Sequence, residues 1–310
     1  MTATFFRETA MRRIALFIGT NLAVLLLLSI VCHLFGIDQM AAARGYGGMG
    51  GLLAYAAVFG MGGAFISLAM SKMIAKWSTG ARVIEQPQNE TERWLVDTVR
   101  RHAQNAGIGM PEVAIYDAPE MNAFATGMTK NSSLVAVSSG LLQQMNREQA
   151  GAVLGHEIGH VANGDMVTLT LIQGVLNTLV ILAARIVGRL VDSWMSGGRD
   201  NREGGTGIGY FVVVMVLQVV FGLFASIIVA AFSRWREFRA DAAGAQFAGR
   251  GAMISALQRL QGNHGESTLP STIAAFGISG PLAGGFKRLF MSHPPLEERI
   301  AALQNASAHG

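Results

Sequence analysis

Long apolar stretches alternate with polar ones along the chain, and their lengths give the first structural prediction. Four apolar segments stand out, at about 14–36, 48–71, 166–188 and 208–232. A helix rises 1.5 Å per residue, so about 20 mainly apolar residues cross roughly 30 Å of hydrocarbon. Each segment reaches that length, and we predict four transmembrane helices. Buried core helices are the alternative, most plausible for the third segment because it contains Gln173, Asn177 and Arg185.

The first segment also has features of a signal peptide. Arg12 and Arg13 precede it, as basic residues precede the apolar core of such peptides. The segment is long, however, and no small-residue cleavage site closes it before the Gly-Ile-Asp sequence at 36–38. We therefore interpret it as an uncleaved membrane anchor.

The composition supports an integral membrane protein. Hydrophobic residues make up 51% of the 310 residues, charged residues 14%, and the mean hydropathy is +0.37. A soluble domain carries about 25% charged residues. The net charge of +4 is modest and no basic stripe carries interleaved aromatics, so we predict no nucleic-acid partner. Cys32 is the single cysteine, which excludes a disulfide framework within one chain and a cysteine-based metal site.

Basic residues at the ends of the apolar segments predict the orientation. They precede the first segment, follow the second and follow the fourth: Arg7, Arg12, Arg13, Lys72, Lys76, Arg82, Arg234, Arg236 and Arg239. The loop at 37–47 carries only Arg44, whereas the loop at 189–207 carries Arg189, Arg199 and Arg202 and gives a weaker contrast. Because basic flanks stay on the cytoplasmic side, both termini and the 72–165 region are predicted to face the cytoplasm, with the two loops outside.

Residues 72–165 have the pattern of a folded, water-exposed domain. The spacing of Asn89 and Glu92 predicts a capped helix, which glycines at 107 and 109 end. Runs at 113–116 and 134–137 are prone to form strands, with 122–127 as a third strand between them. Asn146 and Gln149 then predict the start of another helix. Farther along, 234–262 is predicted to be helical, and Pro294 and Pro295 open a last helix.

The helix after Asn146 carries the sequence His-Glu-Ile-Gly-His at 156–160, which matches the H-E-x-x-H pattern of zinc proteases. Residues four apart share one helical face, so His156 and His160 can reach one tetrahedral zinc. Glu157 is placed to hold a water molecule and take its proton. An exposed helix that merely carries two histidines is the alternative.

A catalytic zinc needs a third protein ligand. Glu237 and Asp241 lie four apart on the predicted helix that leaves the fourth membrane segment. Glu237 is a candidate ligand, with His264 and His293 as rivals and a solvated flank as the alternative. Asp241 is better suited to hydrogen-bond a ligand histidine.

Five motifs occur in one order and together resemble the HtpX family of bacterial inner-membrane zinc proteases, relatives of the eukaryotic CAAX prenyl protease. They are Asn-Ala-Phe-Ala-Thr-Gly at 122–127, His-Glu-Ile-Gly-His at 156–160, Asn-Gly-Asp at 163–165, Glu-Phe-Arg-Ala-Asp at 237–241 and His-Pro-Pro-Leu-Glu-Glu-Arg at 293–299. The resemblance extends from about Met11 to Leu303.

The resemblance implies an endopeptidase that faces the cytoplasm and acts on damaged or misfolded membrane proteins. It implies that His156, His160 and Glu237 bind one Zn²⁺ per chain and that Glu157 is the general base. His293 and Arg299 match positions near the reacting carbonyl; their alternative roles are a neighbour of a helix cap and a surface charge.

The resemblance further implies that one strand is a substrate-binding edge, to which an extended peptide adds by backbone hydrogen bonds. An ordinary internal strand is the alternative. Its residues are Asn122, Ala123, Phe124, Ala125, Thr126 and Gly127.

We therefore predict an α-rich integral membrane protein with four transmembrane helices and an α+β zincin-like catalytic domain with a small sheet. The predicted regions are a membrane hairpin at 1–71, a catalytic region at 72–165, a second hairpin at 166–232 and a catalytic region at 233–310. A prenyl-protein protease and a zinc-stabilised scaffold without turnover are the rival functions. A transporter is disfavoured because the second and fourth segments hold almost no ionisable groups.

Overall fold

The computed structural model describes residues 48–195, 208–262 and 291–306. The helices are α1 Gly48–Thr79, α2 Glu90–Ala106, α3 Ser139–Gln144, α4 Arg147–Asn163, α5 Asp165–Met195, α6 Ile208–Ala248, α7 Arg250–Gln261 and α8 Leu296–Asn305. The strands are β1 Arg82–Val83, β2 Glu112–Tyr116, β3 Ala123–Thr129 and β4 Ser132–Ser138.

Three described helices are long and apolar enough to cross a membrane. The candidate spans are Gly50–Thr79, Asp165–Val191 and Tyr210–Ala248. Helices α1, α5 and α6 contain the predicted segments 48–71, 166–188 and 208–232, whereas the predicted segment 14–36 lies outside the described residues. Helix α6 continues without interruption past residue 232 to Ala248. The predicted helix at 234–262 is therefore divided at Gly249, whose φ of 98° is outside the helical range, into the end of α6 and α7.

The small sheet is mixed. Its strand order is β1-β2-β4-β3; β2 is parallel to β4, and β3 is antiparallel to it. The predicted strands at 113–116, 122–127 and 134–137 correspond to β2, β3 and β4. Among the described strands β3 lies at an edge of the sheet, which favours the predicted edge strand over the alternative of an internal one.

Helix caps follow the sequence signals. Asn89 accepts a hydrogen bond from the backbone of Glu92, and Gly107 ends α2 in the left-handed conformation. Asn146 and Gln149 form a reciprocal capping box at the start of α4. These contacts satisfy backbone N–H groups that have no partner inside a helix.

The chain forms two compact units. One comprises residues up to Gly63 together with Gly174–Leu223, and the other comprises Ala64–Gln173 and residues from Phe224 onward. In the first unit α1 meets α5 at Gly60, where a Cβ atom would lie 2.5 Å from the backbone nitrogen of Thr178. Such close backbone approach at small residues is typical of helix packing in membranes.

In the second unit the sheet is buried on both faces. One face packs side chains such as Ala123, Ala125 and Val135 against α4, in a core that also includes α2, α7 and α8. The other face packs Phe124 against Ala75 of α1. The helix with the two histidines therefore lies directly against the edge strand.

A buried histidine links α2 to α4. The Nε2–H of His102 donates to the backbone oxygen of Gly151 at 3.0 Å, and its ring stacks on Phe247. Its Nδ1 has no hydrogen-bond partner among the described residues. Burial lowers the pKa of His102, since a proton on Nδ1 would place a charge in the core.

This burial predicts a loss of stability in acid. As the pH falls through about 6.5, the unfolded chain protonates His102 before the folded protein does, so the free energy of unfolding decreases. His102→Gln keeps a donor for Gly151 without a titrating ring. Its melting temperature in detergent should decrease less than that of the wild type between about pH 8 and about pH 5.5. Equal decreases in both proteins would show that His102 is not the cause.

Candidate metal centre

Helix α4 holds both histidines of the motif in the protein interior. His156 and His160 lie one turn apart, and the Nε2 atoms of their rings are 3.2 Å from each other. Both side chains are almost completely buried, as is Glu157. The predicted alternative of an exposed helix with two histidines is therefore wrong.

A carboxylate at the start of α5 orients His160. Gly164 ends α4 with φ of 69°, a left-handed turn that favours glycine. Asp165 follows, and its Oδ2 lies 2.7 Å from Nδ1 of His160. The carboxylate therefore accepts a hydrogen bond from Nδ1 and leaves the lone pair of His160 on Nε2.

Helix α6 supplies two more carboxylates, on adjacent turns. Asp241 Oδ1 lies 2.9 Å from Nδ1 of His156, so this histidine also presents its Nε2 lone pair. Glu237, which is fully buried, places its oxygens 3.2 Å from Nε2 of His160 and 3.5 Å from Nε2 of His156.

The two helices can approach because glycines line their crossing. A Cβ atom on Gly159 would lie 2.7 Å from that of Ala243, and one on Gly244 would lie 3.1 Å from the backbone nitrogen of His156. Gly155 faces Gly244 in the same way. These small residues let the two helices lie close enough for Glu237 to reach the histidines.

The three candidate ligand atoms fit the dimensions of a metal site. Nitrogen atoms of His156 and His160 and an oxygen of Glu237 all lie within 4.8 Å of one another. Bonds of about 2.0–2.1 Å in a tetrahedron give ligand separations of about 3.3–3.4 Å. The two Nε2 atoms are 3.2 Å apart, close to one such edge. Glu237 places Oε1 3.2 Å from Nε2 of His160 and Oε2 3.5 Å from Nε2 of His156, so each histidine has a carboxylate oxygen at a comparable separation.

The chemistry of this donor set also favours a cation. Both Nδ1 atoms donate to carboxylates, so in the neutral form of the two histidines the facing Nε2 atoms and the Glu237 oxygen carry lone pairs and no hydrogen. Oε1 of Glu237 has no hydrogen-bond partner among the described residues. Buried acceptors that converge without a donor are costly, and a divalent metal ion satisfies all three.

Protons compete with a metal for this site. Burial lowers the pKa of His160, but the charge of Glu237 and the bond to Asp165 outweigh burial and raise it to about 9. A histidine must be neutral to bind a metal, so binding displaces protons.

Glu157 lies beside the ligands without being one of them. Its Oε2 has no hydrogen-bond partner among the described residues. Burial raises the pKa of Glu157 to about 7, although the neighbouring histidines act in the opposite direction. A carboxylate with this pKa can exchange a proton near neutral pH.

Arg299 is buried in the site. Its guanidinium donates to both oxygens of Asp241, with Nε–Oδ2 and Nη2–Oδ1 distances of 2.7 and 2.5 Å. Asp241 therefore connects Arg299 to His156. The alternative of a surface charge for Arg299 is wrong, since its side chain is fully buried.

His293 lies against Glu237. Its Nδ1 is 2.7 Å from Oε2 of that carboxylate, and its Nε2 has no hydrogen-bond partner among the described residues. His293 is thus placed as a partner of the third candidate ligand. The rival ligand His264 lies outside the described residues.

The predicted substrate strand borders this site. Residues 122–126 are buried, and within the described part of the chain β3 pairs with β4 on one side only. Gly127 has φ of 144°, and a Cβ atom there would lie 2.6 Å from Cα of Ser133, so glycine is required where the strand enters its hairpin.

Comparison with known proteins decides the family. Residues 89–307 match peptidase family M48. The chain belongs to peptidase family M48. It is 62% identical over 295 residues to "Protease HtpX" of Xanthomonas euvesicatoria, covering 95% of this chain and 98% of the relative. It is also 62% identical over 292 residues to "Protease HtpX" of Stenotrophomonas maltophilia, covering 94% and 97%.

A solved structure shows the same fold. The crystal structure of Ste24p from S. mikatae aligns with a TM-score of 0.59 at 18% identity, over 97% of this chain and 67% of that one. Together with the HtpX relatives, this fold makes the chain an M48 metalloprotease of the membrane, and the predicted family resemblance is confirmed.

The M48 site contains one carboxylate to which the sequence analysis assigned no role. Asp165 belongs to the Asn-Gly-Asp sequence, but its bond to His160 depends on the turn at Gly164. An acidic residue directly after a glycine that follows the helical pattern was the available signal. The nearby pair of Arg239 and Asn163, with an Nη2–Oδ1 distance of 2.7 Å, was also not predicted.

The helix crossing gives a matched pair of substitutions. Gly159→Ala should separate α4 from α6 and reduce both bound metal and peptidase activity, because its Cβ has no space beside Ala243. Gly151→Ala, on the same helix, meets only a methyl carbon of Thr98 at 3.9 Å. It should keep both properties and gain up to about 1 kcal/mol of helix stability. Metal analysis and thermal unfolding of both variants test this, and equal metal retention would contradict it.

Removal of the carboxylate on α6 tests the third ligand. Glu237→Ala should weaken metal binding by more than the roughly 10–100-fold typical of losing a hydrogen-bond partner of a ligand. The melting temperature should decrease with the metal content, since the metal joins two helices. Glu148→Ala, an exposed position on α4, is the control. Unchanged metal content in Glu237→Ala would make a histidine such as His264 or His293 the better ligand.

Proposed function

We propose that the chain is a zinc-dependent endopeptidase that holds one Zn²⁺ through His156, His160 and Glu237. The observation that carries this proposal is the convergence of two histidine lone pairs and one carboxylate oxygen, all buried and all within 4.8 Å. A set of two nitrogens and one oxygen suits Zn²⁺, which commonly leaves one position open in catalytic sites.

When bound, zinc supplies a Lewis acid that polarises the scissile carbonyl and lowers the pKa of water. The acid–base steps belong to Glu157. Its carboxylate takes a proton from the attacking water at Oε2, the oxygen without a partner, and returns that proton to the nitrogen of the leaving amine. Burial favours this exchange because it keeps the pKa of Glu157 close to neutral.

The remaining polar groups position these atoms. Asp165 and Asp241 fix the ring orientations of His160 and His156, and Arg299 holds Asp241 by two hydrogen bonds. His293 holds Glu237 through Nδ1, and its Nε2, which has no partner among the described residues, would donate to the carbonyl oxygen of a substrate once the imidazole is protonated. Arg299 acts through Asp241 in this arrangement.

The substrate strand is proposed to be β3. An extended peptide would add to its open edge, with residues Asn122 to Gly127 supplying backbone hydrogen bonds. The position of β3 at the edge of the sheet and next to α4 supports this role.

We further propose that the substrates are unfolded or damaged membrane proteins, as the resemblance to the HtpX family implies. The protein would lie in the bacterial inner membrane with four transmembrane helices, its termini and active site in the cytoplasm. The predicted boundaries at residues 71, 165 and 232 separate its membrane and catalytic regions. Basic residues beside the described spans support this orientation.

The rival functions have weaker support. A prenyl-protein protease is disfavoured because the HtpX relatives match almost the whole chain at 60–62% identity, whereas Ste24p matches in fold. A zinc-stabilised scaffold would not need Glu157. Burial of its carboxylate costs folding free energy, and only the reaction requires a carboxylate at this position.

Substitution of the base separates catalysis from metal binding. Glu157→Gln keeps the shape of the side chain but removes the proton acceptor, so turnover of unfolded casein in detergent should fall by about 10²–10⁴-fold. Zinc content should stay at the wild-type value, because Glu157 is not a ligand.

The control for this experiment is Glu148→Gln, an exposed carboxamide substitution on the same helix, which should retain wild-type turnover. Rapid turnover by a zinc-loaded Glu157→Gln protein would contradict the assigned role of Glu157. A loss of zinc from that variant would instead make the carboxylate a structural part of the metal site.

A further inference from the structure

The catalytic elements begin where the apolar segments end. In α6, residues 208–233 contain no charge; Arg234 is the first charged residue, and Glu237 follows it by three positions. At 1.5 Å per residue this is an axial distance of about 4.5 Å. Helix α6 is continuous through Glu237 and Asp241. The same candidate membrane helix therefore carries the candidate ligand, at a fixed axial distance from the end of its uncharged segment.

Helix α5 independently places the metal centre beside the end of an uncharged segment. Asp165, which bonds to His160, is its first residue, and the next charged residue is Arg185. A long uncharged run therefore starts directly after a carboxylate that contacts the metal centre.

Helix α1 contacts the sheet close to the end of its own uncharged segment. Residues 48–71 contain no charge, and the first two charges that follow, Lys72 and Lys76, both contact Glu112 of β2 at 2.5 Å. Ala75 packs against Phe124 of the proposed substrate strand. The sheet is thus attached to α1 within two turns of the end of its apolar run.

Exposed aromatic side chains lie just beyond the ends of the uncharged segments of α6 and α1. Trp235 is 54% exposed and Trp77 is 86% exposed, whereas Phe224 and Ile228 are exposed on the preceding turns of α6. Tryptophan is enriched where a membrane helix meets the lipid headgroups. The indole of Trp235 is also covered by the guanidinium of Arg239 at 5.1 Å, as suits a ring that faces a polar layer.

We infer that the metal centre lies at the depth of the lipid headgroups, so that its substrates are peptide bonds immediately beside a membrane-spanning segment. This inference rests on the proposed peptidase function. Glu237 and Asp165 lie within about one helical turn of the apolar runs. An extended substrate chain advances about 3.3 Å per residue. It therefore reaches the level of the metal centre a few residues after it leaves the hydrocarbon.

The inference predicts how cleavage depends on distance from the membrane. A flexible tether lowers the effective concentration roughly as the −3/2 power of its length, so lengthening it from about 6 to about 60 residues should reduce cleavage about thirtyfold. A catalytic site far above the membrane would give the opposite order, because a tether of about 6 residues spans at most about 20 Å.

The experiment uses the full-length zinc-loaded protein in vesicles of phosphatidylcholine and phosphatidylglycerol. The substrates carry one transmembrane helix, a glycine–serine linker of either length and a casein segment that the protein cuts in detergent. The same casein segment without an anchor is the third substrate. Cleavage rates and cut sites are measured by mass spectrometry.

Faster cleavage with the short linker supports the inference. Equal rates, or faster cleavage with the long linker, overturn it, while cleavage of the untethered segment shows that the peptidase function stands. No cleavage of any substrate, in vesicles or in detergent, overturns the peptidase function and this inference together.

The depth itself can be measured without activity. A protein whose single tryptophan is Trp235, made by Trp77→Phe, Trp94→Phe and Trp194→Phe, is reconstituted with lipids brominated either near the headgroup or near the chain end. Stronger fluorescence quenching by the bromine near the headgroup is expected. Stronger quenching by the chain-end bromine, or no quenching by either, would contradict the inferred depth.

Discussion

The structure depends on one electrostatic constraint, the meeting of three lone pairs in the protein interior. The Nε2 atoms of His156 and His160 and the two oxygens of Glu237 face one another at 3.2–3.5 Å, with no hydrogen between them when both histidines are neutral. This arrangement persists because Asp241 and Asp165 hold the hydrogen of each ring on its far side. Arg299 neutralises Asp241 in turn. A cation held by His156, His160 and Glu237 would replace this repulsion with bonds that join α4 to α6.

Backbone packing makes this arrangement possible. Glycines at the crossing bring α4 and α6 close enough for side chains from distant parts of the sequence to share one ligand sphere. The same α6 is a candidate membrane span, so the metal centre and the bilayer are joined by one uninterrupted helix. Among the described strands, β3 lies at an edge of the sheet, beside α4. In the function proposed above, that edge would bring substrate next to the candidate metal centre.

Local signals predicted much of this arrangement. The capping box at Asn146 and the four-residue spacing of His156 and His160 depend only on neighbours in the sequence, and both were predicted. The edge position of β3 was expected from the family resemblance, because the crossover from β2 to a parallel β4 cannot be read from local pattern. The bond between Arg299 and Asp241 joins residues 58 positions apart, and no local signal distinguished it from a surface charge. A helix that leaves the fourth membrane segment and carries Glu237 was predicted, but the break at Gly249 was not, because a single glycine inside a helical pattern does not by itself mark an end.

The most direct test of the account is the zinc coordination seen by X-ray absorption spectroscopy on the purified full-length protein. The account predicts two imidazole nitrogens and at least one oxygen at about 2.0–2.2 Å, with no sulfur. A sulfur shell at about 2.3 Å, or a shell of oxygens without imidazole scattering, would contradict the assignment of His156, His160 and Glu237.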